Sequence, residues 1–64
     1  MIYDIGDVVR IRSGSGSGYE QTLVFIVRSV NLTTCSVGVR CVNNADGIPA
    51  PTSLPFSAIE LMEV

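Results

Sequence analysis

The sequence predicts an all-β domain, a small barrel of about five strands with one short helical turn before the last. Three observations point there. Short runs of β-branched and aromatic residues recur at ~8–12-residue spacing, separated by clusters of Gly, Asn, Asp and Ser. No apolar pattern of helical period persists over a helix-length window. The run Leu23-Val24-Phe25-Ile26-Val27 is apolar at every position, inside a chain of only 64 residues. A chain of that length makes one domain, residues 1–64, near the lower limit for an unaided hydrophobic core.

Met1-Ile2-Tyr3-Asp4-Ile5-Gly6-Asp7 leads into a Gly-Asp turn. Residues 8–12 then alternate as a half-buried strand does, with Val9 and Ile11 on one face and Val8, Arg10 and Arg12 on the other. Residues 13–18 read Ser-Gly-Ser-Gly-Ser-Gly, a flexible loop. Its strict alternation fits a natural low-complexity loop, with an engineered linker or the scar of a circular permutation as the alternative. It is no phosphate loop, because that motif ends in Gly-Lys-Ser/Thr at a helix start, and here Tyr19-Glu20-Gln21 leads into a strand. Residues 22–30 make the second and longest strand, 31–34 a turn, and 35–43 a valine-rich third strand. Asn44-Ala45-Asp46-Gly47 is a strong turn signal. Residues 48–55 hold all three prolines, Pro49, Pro51 and Pro55, so any strand there is short and at an edge. Phe56-Ser57-Ala58 reads as one tight helical turn, and residues 59–64 close the fold as a last short strand.

The apolar run 23–27 carries the main functional expectation. Successive strand residues face opposite sides, so this strand is apolar on both. A single-layer barrel buries one of them. Either Val24 and Ile26 or Leu23, Phe25 and Val27 fill the core, since long barrel strands bend and switch faces at bulges. The outward set then needs a cover, which predicts a homo-oligomer, most simply a symmetric dimer, or a protein partner. Leu23, Phe25 and Val27, with Tyr19, are the candidate interface. The balance of 47% hydrophobic to 16% charged residues fits that expectation, against the usual ~25% charged.

The cations are four arginines, Arg10, Arg12, Arg28 and Arg40, with no lysine or histidine, and the net charge is −2. These arginines are candidate polar contacts, because a guanidinium binds carboxylate or phosphate bidentately. Four scattered charges on an acidic chain do not favour nucleic acid, which remains an alternative partner. Cys35 and Cys41, if on one strand, stand roughly 20 Å apart, beyond the ~7 Å that a disulfide spans. Their alternation with Val37 and Val39 predicts two buried apolar thiols on one face.

No histidine means no ready base, proton shuttle or imidazole ligand. Asp7 and Asp46 stand in turns, and Glu60 and Glu63 on a polar edge, with Asp4 and Glu20 the remaining carboxylates. Ser15 and Ser17 have no base beside them. No catalytic, cofactor or metal residues are assigned. Tyr3, Tyr19 and Phe56 are expected to cap the core. No run approaches a membrane span, no signal peptide is visible, and the unpaired cysteines fit a reducing compartment, so the expected location is cytoplasmic.

Ile5-Gly6-Asp7-Val8-Val9-Arg10-Ile11 resembles the opening strand of SH3-like barrels, and Pro55-Phe56-Ser57-Ala58-Ile59-Glu60-Leu61 resembles their closing turn and strand. The resemblance implies that fold and leaves function open. Within it, Gly6-Asp7-x-Val9-Arg10-x-x-Ser13-Gly14, Asn31-Leu32-Thr33 and Pro55-x-x-Ala58-x-Glu60 are similar to the plasmid-borne type II dihydrofolate reductases. That similarity implies a mobile-element or phage setting and a tetramer around a central pore. The family lines its pore with a Val-Gln-Ile-Tyr stretch, where this chain has about Pro51-Thr52-Ser53-Leu54, so no substrate or cofactor residues carry over. Arg12 falls where the family has a basic residue near the pore mouth. The expected function is therefore a non-enzymatic interaction module that self-associates or binds a protein. The alternatives are nucleic-acid binding through the strand arginines and a small oligomeric enzyme resembling the type II reductases.

Overall fold

The structure, a computed structural model, describes residues 3–14 and 18–62. The middle of the Gly/Ser loop, with Ser15 and Ser17, lies outside the described residues, as do Met1, Ile2, Glu63 and Val64.

Among the described residues five antiparallel strands form one sheet: β1 (Val8–Ile11), β2 (Val24–Asn31), β3 (Ser36–Cys41), β4 (Ser53–Pro55) and β5 (Ile59–Leu61), in the spatial order β4-β3-β2-β1-β5. One 3₁₀ turn, Glu20–Thr22, precedes β2, and another, Phe56–Ala58, precedes β5. The all-β architecture and the helical turn before the last strand are as the sequence predicts. β4 and β5 occupy opposite edges of the sheet yet are separated by only the second 3₁₀ turn. So short a link requires the sheet to curl. The turn is bonded to both sides of the curl, since the N–H of Phe56 donates to Cys35 (2.9 Å) and the N–H of Arg12 donates to Ala58 (2.7 Å).

The core takes one parity of each strand. Val9 and Ile11 of β1, Phe25 and Val27 of β2, Val37 and Val39 of β3, Leu54 of β4 and Ile59 of β5 are buried with Leu23 and Tyr3. The register shifts between Val27 and Ser29, which leaves Arg28 as the extra residue of a β-bulge. Before the bulge the odd residues of β2 face inward; after it, even-numbered Val30 packs against the core. Pairing across the ladder follows, with Val27 opposite Val39 and Val30 opposite Val37. Tyr3 closes one end. Its hydroxyl donates to the carbonyl of Ile59 (3.0 Å) and its ring tilts against Phe56 at 5.6 Å. Both aromatics therefore cap the core, whereas Tyr19 is exposed.

β2 starts at Val24 and β3 stops at Cys41, each shorter than the sequence predicts. An asparagine side chain stands in for the missing ladder. Asn43 Oδ1 accepts the N–H of Val24 (2.8 Å), and Asn43 Nδ2 donates to the carbonyl of Thr22 (3.0 Å). Asn43→Ala removes both bonds and is expected to cost about 1–2 kcal/mol in urea unfolding, since water reaches this rim and replaces part of the loss. An unchanged midpoint would contradict that role.

The cysteine expectation needs correction. Cys35 is exposed and stands in the turn with φ 54°, off the strand face that Val37 and Val39 share. The reason is local. Asn31 Oδ1 accepts the N–H groups of Thr33 and Thr34, a tight side-chain-closed turn whose exit needs a left-handed residue. Cys41, half-buried against the core, keeps its predicted side. Native thiol labelling is thus expected in two phases, Cys35 quickly and Cys41 slowly; a single rapid phase for both would contradict the packing of Cys41.

Candidate functional site

The outward face of β1, β2 and β3 is where strand parity leaves apolar side chains without cover. Because Phe25 and Val27 face inward, Val24 and Ile26 face outward. Ile26 is 37% exposed and lies directly opposite Val8, 41% exposed, in the β1–β2 register. Directly opposed side chains on one face of an antiparallel pair touch, so Val8 and Ile26 form one apolar ridge. Ile5, 73% exposed, lies beside it in the Ile5-Gly6 turn, whose left-handed Gly6 lets its N–H reach the carbonyl of Val27 (2.8 Å). Ile5, Ile26, Val27, Arg28 and Arg40 line one shallow depression here.

The candidate interface expected from sequence is therefore corrected. The side chains of Leu23, Phe25 and Val27 belong to the core, at most 1% exposed. Tyr19 is exposed but sits elsewhere, its hydroxyl accepting the N–H of Ala45 (3.2 Å). The residues that replace them, Val8, Ile26 and Ile5, carry a signal that was available: Arg28 shares the parity of Val24 and Ile26, and a charged residue marks the wet face of a strand.

The four arginines divide. Arg10 pairs with Glu60 across β1 and β5, with Nε and Nη2 both on Oε2 at 2.9 and 2.7 Å. Arg12 donates from Nη2 to the carbonyl of Ile59 (3.3 Å) and so serves the fold. Arg28 and Arg40 reach the depression, Arg28 re-aimed by the bulge and Arg40 placed opposite Ile26. Neither has a carboxylate partner among the described residues. The sheet thus places two of the four arginines along one depression beside an apolar ridge.

Among the described residues no three Asp, Glu or Cys side chains gather as metal ligands would, and no buried side-chain nitrogen or oxygen lacks a hydrogen bond. No helix among the described residues is long and apolar enough to cross a membrane. In comparison with known proteins, no family model, no curated protein and no solved structure matches the chain.

Proposed function

We propose that this chain is a non-enzymatic interaction module, an SH3-like barrel that self-associates or binds a protein through the outward face of β1, β2 and β3. The observation that supports it most is the Val8–Ile26 ridge, an exposed apolar pair set into the middle of the sheet. Isolated exposed aliphatic residues are ordinary. Two directly opposed across central strands, with Ile5 beside them and unpaired arginines at the edge, have the layout of an interface: an apolar centre and a polar rim.

Small size adds to the case. A core this small supplies rarely more than ~3–5 kcal/mol, and covering an outer face is one of the few ways to add to it. The meander order with a 3₁₀ turn joining the two edge strands supports the SH3-like assignment. The nucleic-acid reading has less behind it, because only Arg28 and Arg40 converge, on an acidic chain and beside an apolar floor. Sedimentation of the unmodified chain over a micromolar concentration range tests the proposal, with a dimer or larger assembly expected. A stable monomer that also captures no protein partner would overturn it.

A further inference from the structure

We infer that the depression lined by Ile5, Ile26, Arg28 and Arg40 holds a segment of a partner protein in which one carboxylate side chain is flanked by aliphatic residues. The carboxylate lies between the two arginines and an aliphatic neighbour lies on the isoleucines. This rests on the interaction reading above and adds the chemistry of the partner.

The four residues are local to one another, so the curl of the sheet does not separate them. Ile26 and Arg40 are directly opposed across β2 and β3. Arg28 follows Ile26 by two residues, at the bulge. Ile5 belongs to the turn that is bonded to Val27 twice. The N–H of Gly6 donates to the Val27 carbonyl (2.8 Å), and the N–H of Val27 donates to the Asp7 carbonyl (2.9 Å). All four residues, with Val27, line the one depression. Diagonal neighbours on one face of an antiparallel pair stand about 7–8 Å apart. Two arginines at that spacing can approach one carboxylate from either side, because each guanidinium presents a fork of N–H donors.

The charges point the same way. The sheet supplies partners for the other two arginines, Glu60 for Arg10 and the Ile59 carbonyl for Arg12. Arg28 and Arg40 have no carboxylate partner among the described residues, in a chain with six acidic and four basic side chains. Two like charges on one face repel, and a carboxylate brought by a partner relieves that repulsion. The apolar floor adds a demand that a bare anion does not meet. An acidic tract fits poorly, since the chain carries a net charge of −2 and offers only two free cations here. A phosphate backbone fits poorly for the same reason. One carboxylate between aliphatic residues matches both the charge and the floor.

NMR titration of the isotope-labelled chain with the blocked peptide acetyl-Ser-Leu-Glu-Ile-Ser-amide tests this. Shifts are expected at Gly6, Ile26, Arg28 and Arg40. Binding is expected to weaken about fivefold when glutamine replaces the glutamate of the peptide, and about as much in Arg28→Gln or Arg40→Gln, whose own spectra report that they are folded. Added salt should narrow the gap between the two peptides. Equal binding of both peptides overturns the carboxylate pairing and leaves the face an interface. A uridine octanucleotide that binds more tightly than the peptide overturns it too, giving the arginines to phosphate. If no peptide moves these resonances, the inference is wrong. A parent chain that then self-assembles through Ile26, or captures another protein, keeps the interaction reading; a stable monomer that captures none ends both.

Discussion

Phe25→Ala is expected to leave the chain unfolded at room temperature. Phe25 is fully buried near the start of β2, opposite Val9 of β1 and Cys41 of β3. Truncating a buried phenylalanine removes its transfer free energy and leaves a cavity, together ~3–5 kcal/mol. The core of a domain this size supplies about that much in total. The other large buried residues, Leu23, Ile59, Val9, Val27 and Val37, come from four separate segments of chain, so no single element can move in to fill the space. Circular dichroism should show loss of the β signal, and urea titration no cooperative transition. A folded variant that loses less than about 1 kcal/mol would mean that the packing around Phe25 is wrong, because only a loose site collapses that cheaply.

Ile26→Asp, one residue along, is expected to do the reverse: fold normally and fail to assemble. Ile26 points away from the core, so a carboxylate there reaches water in the free chain and costs the fold little. In an assembled face it replaces an apolar contact worth ~1.5–3 kcal/mol and, across a two-fold axis, does so twice. An unpaired charge at an apolar contact adds a desolvation cost. Self-association should weaken by about two orders of magnitude or more, read as a shift to monomer by sedimentation or light scattering. Unchanged assembly would remove Ile26 from the interface. Unfolding comparable to Phe25→Ala would mean that residues 25 and 26 do not face opposite sides of the sheet.

The contrast between these neighbours marks how much of the protein was readable in advance. Turn chemistry placed most of the elements. Gly6 and Gly47 take the positive φ that their turns require, and Pro55 confines β4 to an edge. The tight turn at Phe56–Ala58 and the alternation of β1 were also legible, because each depends on the chemistry of a few adjacent residues. Cys35 escaped the same treatment. Period-two alternation extends a strand to it, while the Asn31 side chain closes the turn and spends Cys35 on a left-handed position.

The candidate site was half legible. That β2 must show an apolar face to the outside followed from its composition and the size of the domain. Arg28, on the parity of Val24 and Ile26, hinted at the outward face, but parity against β1 and β3 and the one-residue bulge at Arg28 decided it, a matter of pairing between strands distant in sequence. The same is true of the placing of Arg28 and Arg40 along one depression and of the pairing of Glu60 with Arg10, across 12 and 50 residues of sequence. Local sequence therefore specified strands, turns and the surplus of apolar surface, because backbone preference and alternation act over a few residues. Long-range pairing specified which side chains became core and which became surface, because a shift of one residue in register exchanges the two faces.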